Sequence, residues 1–126
     1  MNEYERIKRH LEALKLNEED SSFASQLDDC VQQLMKEHKY TVDRLSSLMC
    51  MSRSKLRRHT LKHIGIPPLQ YVMFRRMQES RRLMTTNPTL SILQIARVCG
   101  FYDHSHFTHT FEHFFGENPS GFVKKR

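Results

Sequence analysis

The chain has 126 residues, 38 % hydrophobic and 27 % charged, enough for one domain or two very small ones with a modest core. Its 20 Lys and Arg against 14 Asp and Glu give a formal charge of +6, and no apolar run approaches the roughly 18 residues of a membrane span. The N-terminus, MNEYERIKRH, lacks the apolar core of a secretory signal, and three cysteines (Cys30, Cys50, Cys99) without CxxC spacing favour reduced thiols in a cytosol over a disulfide or zinc framework.

Residues 4–14 set Tyr4, Ile7, Leu11 and Leu14 among charged residues, the spacing of an amphipathic helix with a narrow apolar stripe. A dimer contact, a packing arm and the tail of an upstream domain are all compatible with that helix. Asn17–Ser22 reads as a polar linker, so residues 1–22 form an extension ahead of a domain at 23–126. A second helix is expected over 23–38, with Phe23, Leu27, Val31, Leu34 and Met35 on one face and Ser21 or Ser22 as N-cap.

Thr41 caps the next helix, whose Val42, Leu45 and Leu48 face inward, and Gly65 ends a basic helix in the left-handed conformation. Pro68 opens a long helix to about Thr86, because a first-turn residue needs no backbone N–H. Leu69, Val72, Met73, Met77, Leu83 and Met84 are its candidate buried positions, and Asn87-Pro88 breaks it. Ser91 caps a fifth core helix, Gly116 ends a sixth, and Asn118-Pro119 starts a short last turn. No stretch has strand character, so the expected fold class is all-α.

Two segments repeat. Val42, Leu45 and Leu48 match Ile92, Ile95 and Val98 at an offset of 50, and Leu56, Ile64, Gly65 and Pro68 match Phe107, Phe115, Gly116 and Pro119 at an offset of 51. The extra residue falls in the corner between two helices. Ser46 matches Ala96, a small residue where two helices must approach closely. The pattern is a helix–turn–helix at 42–65, a connecting helix at 68–86 and a second helix–turn–helix at 92–116. The connector, about 18 residues or roughly 27 Å, compares with about 34 Å between successive major grooves on one face of DNA.

Charge is unevenly spread. Residues 1–51 carry 7 Lys and Arg against 10 acids, residues 52–82 carry 9 against Glu79 alone, and residues 83–126 carry 4 against 3. A basic block centred on a helix–turn–helix points to phosphate contact. In such a motif the second helix presents its N-terminal residues to base edges. With Leu56, Thr60 and Ile64 inward, Arg53, Ser54, Arg57 and Arg58 lie on the outward flank. Arginine there forks onto guanine or touches only phosphate. The outward positions of the second unit are His104, Ser105, Thr108 and His109, with His106 beside them, Asp103 as N-cap, and Phe107, Phe111, Phe114 and Phe115 inward.

From about residue 25 to 126 the chain resembles the DNA-binding domain of AraC-type (arabinose-regulator) transcription factors, on MSRSKLRRH, GIPPLQYV, SILQIARVCGFYDHSHFTHTF and FGENPSGF. The resemblance implies a seven-helix bacterial transcription regulator whose two recognition helices enter adjacent major grooves. Its base-reading positions fall on Ser54, Arg57 and Arg58, then on His104, Ser105, His106 and His109. It implies double-stranded promoter DNA as partner and no cofactor. RNA polymerase and an upstream sensor or receiver domain, as in hybrid two-component regulators, are further candidate partners, and the nucleoid is the expected location.

Departures from the family matter. His109-Thr110-Phe111-Glu112 replaces a common Arg-x-Phe-Lys, so the second unit is expected to bind more weakly. Cys50 stands where glycine is usual, and a left-handed backbone there would cost on the order of 1 kcal/mol. Ser80 replaces a customary alanine.

An enzyme is not expected. His106, His109 and His113, or His59 and His63, have spacings that can chelate metal, but HTLKH lacks the glutamate of HExxH and no paired carboxylate completes a site. A protein-interaction module would not explain the confinement of charge to 52–82. Histidines titrate near pH 6.5 as a class, so an outward face of His104, His106 and His109 is expected to bind DNA more tightly at about pH 6 than at about pH 8. A triple alanine variant at these positions with the same pH dependence would overturn that expectation.

Overall fold

The computed structural model describes residues 1–124, which form eight helices: α1 (Glu3–Glu12), α2 (Glu18–Glu37), α3 (Val42–Met49), α4 (Arg53–Ile64), α5 (Pro68–Thr86), α6 (Ile92–Val98), α7 (His104–Phe115) and α8 (Pro119–Lys124). Among the described residues there is no strand, and no helix is long and apolar enough to cross a membrane. The chain divides into two compact units, residues 11–73 and residues 1–10 with 74–126.

In the unit of residues 11–73, α2 starts at Glu18, ahead of the expected Phe23. Its N-cap is Asn17 rather than Ser21 or Ser22. Asn17 Oδ1 accepts the Asp20 amide at 2.8 Å, and the Asp20 carboxylate accepts the Asn17 amide at 3.3 Å, a reciprocal capping box. Glu18, Glu19 and Asp20 also set negative charge against the positive end of the helix dipole. The polar run read as a linker is an acidic first turn.

Asp20 has a second role. Buried His63, near the end of α4, donates from Nδ1 to Asp20 Oδ1 at 2.7 Å, and its ring stacks on Phe23 at 4.9 Å. That hydrogen bond is the main reason the Asp20 carboxyl titrates below its ordinary range. At the other end of α2, Arg44 forks onto Glu37 through two 2.7 Å bonds and holds that carboxyl at about 2. Both ends of α2 are thus tied to the helix–turn–helix that follows it.

The unit of residues 1–10 and 74–126 has an aromatic core. Phe101, Phe107 and Phe111 are fully buried, and Phe74, Phe114 and Phe115 nearly so. α1 is a packing arm within this unit: Tyr4 stacks on Phe74 and meets Phe115 at a tilt, both at 4.9 Å, and Ile7 is fully buried. Leu11 and Leu14, expected on the same stripe, are only half-buried. Arg76 is 8 % exposed, donating Nε–H to the Cys99 carbonyl at 2.8 Å with its guanidinium 3.9 Å above the Phe101 ring. Leu69, expected inside, is 61 % exposed.

The repeat is visible in backbone conformation. Cys50 has φ 56° and Gly100 φ 87°, both left-handed. The Met51 amide donates to the Ser46 carbonyl at 3.0 Å, and the Phe101 amide to the Ala96 carbonyl at 2.9 Å. Gly65 and Gly116 end α4 and α7 at φ 84° and 75°. The closely packed position, Ser46 or Ala96, is buried in both units. Ser46 Oγ has no hydrogen-bond partner among the described residues, whereas buried Ser80 donates to the Met77 carbonyl at 2.7 Å.

The second unit already carries the better residue at both corner positions. Ser46→Ala removes an orphaned hydroxyl and is expected to stabilise by about 1 kcal/mol. Cys50→Gly relieves the left-handed backbone and is expected to add about 0.5–1 kcal/mol. Higher urea midpoints at unchanged slope check both.

Acid should act through Asp20 and Glu37. Both carboxyls are held below their ordinary values of 3.8 and 4.5, so their stabilisation is complete above those values and lost as pH falls through the folded ones. The urea midpoint is expected to fall between about pH 5 and pH 2. An Asp20→Asn, Glu37→Gln variant should start lower at pH 7 and fall less across that window.

Candidate nucleic-acid interface

Helix α4 is amphipathic in the manner a groove-reading helix requires. Ser52 caps it, its Oγ accepting the Lys55 amide at 3.1 Å. Leu56, Thr60, His63 and Ile64 form the buried flank, and the Thr60 hydroxyl is satisfied by the Leu56 carbonyl at 2.7 Å. Arg53, Ser54, Lys55, Arg57, Arg58, Leu61 and Lys62 are exposed, so the four positions expected from the sequence share one open surface. Lys55 was not among them. The offset of 51 pairs it with His106, and that correspondence was the available signal.

The cations on α4 differ in their freedom. Arg53 reaches Asp43 at 3.2 Å and Lys62 reaches Glu19 at 3.8 Å, both exposed ion pairs that water and salt weaken. Arg57 and Arg58 have no carboxylate partner among the described residues. His59 is half-buried, its ring 6.1 Å from Phe23 and 5.8 Å from His63. Burial, then the charge of Lys55, pushes its imidazole below the ordinary histidine range, which disfavours its charged form on this face. A cleft of about 280 Å³ lies along the start of the helix, lined by Val42, Arg53, Ser54, Arg57, Pro68 and Leu69.

Helix α7 presents a different surface. Asp103 caps it as expected, Oδ1 accepting the Ser105 amide at 2.8 Å. His104, Ser105, His106 and His109 are exposed, and the His106 ring meets the Phe101 ring edge-on at 5.0 Å. Thr108 is less open than its neighbours. It is half-buried beside Phe107, and its hydroxyl is out of solvent without a hydrogen-bond partner among the described residues. The exposed face of α7 carries no Lys or Arg, and it includes Glu112.

The arginines of α5 serve other ends. Arg76 is a core residue, as described. The Arg81 guanidinium lies over Phe115, Phe122 and Tyr4 at 4.6, 5.1 and 5.4 Å, and Arg82 pairs with Glu79. Among the described residues no three His, Cys, Asp or Glu side chains gather as a metal site.

Comparison with known proteins agrees with this geometry. The helix-turn-helix domain family profile matches residues 45–125. The HTH-type transcriptional regulator ArgR of Pseudomonas aeruginosa is 31 % identical over 83 residues, 66 % of this chain and 25 % of that protein. The probable transcriptional regulator LumQ of Photobacterium leiognathi is 28 % identical over 94 residues, 75 % of this chain and 37 % of that protein. The HTH-type transcriptional regulator GbdR of Pseudomonas aeruginosa is 30 % identical over 83 residues, 66 % of this chain and 22 % of that protein. The chain thus spans between 22 % and 37 % of the length of these relatives. No solved structure matches it at a significant level. Two helix–turn–helix units, one with a face of unpaired arginines, and a profile match across both place the chain in the AraC-type helix-turn-helix family of bacterial DNA-binding transcription regulators.

Proposed function

We propose that this regulator reads two adjacent major grooves of a promoter operator, with α4 as the dominant recognition helix and α7 as the weaker one. The observation that carries this is the outward face of α4, where Arg57 and Arg58 stand exposed and unpaired by carboxylates among the described residues. Arginine free of an internal partner keeps all its N–H donors for guanine O6 and N7. Ser54, Arg57 and Arg58 read base edges. Arg53 and Lys55 hold phosphates, Arg53 exchanging Asp43 for the stronger field of the duplex. His104, Ser105, His106 and His109 make the contacts of α7.

The two helices contribute unequally because releasing condensed counterions needs fixed positive charge. Helix α4 has five Lys and Arg and no acid, while α7 has none and carries Glu112. The chain acts without catalysis or cofactor, at the nucleoid. RNA polymerase is its downstream partner, and a sensor or receiver domain supplies the signal. The short share of the relatives' length that the chain covers supports a DNA-binding module working with other domains.

Selection of bound sequences from a random duplex pool gives the operator and the assay. Arg57→Ala and Arg58→Ala are each expected to cost about 1–3 kcal/mol on the selected site and to relax preference at one position. Lys55→Ala is expected to weaken binding to every duplex alike and to lower the salt slope by about 1. If the arginine variants weaken selected and scrambled duplexes equally, both arginines are phosphate contacts.

A further inference from the structure

The single residue that the second helix–turn–helix has in excess of the first can be located. Up to the corner the units correspond at an offset of 50, as the Met51 to Ser46 and Phe101 to Ala96 hydrogen bonds show. From the N-caps onward, Ser52 and Asp103, they correspond at an offset of 51. Between Phe101 and Asp103 stands Tyr102, with no counterpart between Met51 and Ser52. Phe101 is buried and Asp103 caps α7, so the inserted side chain stands at the head of the weaker recognition helix.

Tyr102 is 92 % exposed, against 8 % for Tyr4, 8 % for Tyr40 and 9 % for Tyr71. No hydrogen bond or ring contact engages it among the described residues. An amphipathic aromatic side chain left wholly in water contributes nothing to folding, and it pairs an apolar body with a hydroxyl donor. It adjoins His104, Ser105 and His106 in the one recognition helix that lacks arginine.

We infer that Tyr102 is a DNA-backbone contact of the second unit, its hydroxyl donating to a phosphate and its ring lying against the adjoining deoxyribose, so that a neutral contact supplies part of the anchoring that α7 lacks. The inference rests on the proposed groove reading by α7. It predicts a signature distinct from that of a cation, because a phenol displaces no counterion.

The test uses the full chain and the selected duplex. Tetranitromethane is expected to nitrate Tyr102 in the free protein and to be blocked there by duplex. Tyr102→Phe, which keeps the ring, is expected to lose about fivefold in affinity, and Tyr102→Ala about tenfold. Both losses should be equal on matched and scrambled flanks, with unchanged salt slope and unchanged urea midpoint. Equal nitration in the complex, or wild-type affinity for both variants, overturns the Tyr102 contact while leaving the groove reading in place. Failure of the wild-type chain to bind any duplex defeats the groove reading itself, and this contact with it.

Discussion

Each helix–turn–helix turns on one backbone hydrogen bond. The amide of residue 51, or 101, must reach back to the carbonyl of residue 46, or 96, and it does so at 3.0 and 2.9 Å. That closure demands a left-handed residue just before the donor, met by Cys50 and Gly100. It also brings the end of one helix close to the start of the next, which leaves room for little more than Ser46 or Ala96. Once the corner is closed, the N-cap at Ser52 or Asp103 starts the recognition helix in one direction only. The outward set of side chains follows from that start by helical geometry.

The two units solve the burial of their recognition helices by different chemistry. Behind α7 stand four phenylalanines, and Tyr4 of α1 completes their cluster. Behind α4 the contact is partly polar: Asp20 anchors His63, and the Glu37–Arg44 fork fixes α3 against the end of α2. Directional bonds of this kind add precision of placement where packing alone tolerates small shifts, at the expense of sensitivity to acid.

Arginine illustrates how context assigns a role. Among the described residues Arg57 and Arg58 are exposed without carboxylates, Arg53 is loosely held by Asp43, Arg44 is locked in a fork, Arg81 lies over aromatic rings, and Arg76 is buried on the Cys99 carbonyl. The excess charge of residues 52–82 is therefore not one patch. Its most available part lies on α4, while α7 carries no Lys or Arg, and this contrast underlies the unequal roles proposed for the two helices.

Much of this was readable along the chain because the signals are local. Thr41, Ser91 and Asp103 cap helices through bonds two or three residues away, Gly65 and Gly116 end them, and the apolar spacing that put Leu56, Thr60 and Ile64 inward also put Arg57 and Arg58 outward. The repeat, with its extra corner residue, was visible for the same reason. Where α2 begins was not, because Asn17, Ser21 and Ser22 are all competent caps and the choice is settled by Asp20, which serves the cap and His63 together. Nor could periodicity place the Thr108 hydroxyl, which sits at the margin of the buried flank, or separate buried Arg76 from its neighbours on α5. The use of α1 depended on partners more than seventy residues away in the chain, Phe74, Gln78 and Phe115. Caps, corners and helix faces are fixed by neighbours in sequence. The tasks of long polar side chains are fixed by partners that only folding brings within hydrogen-bonding distance.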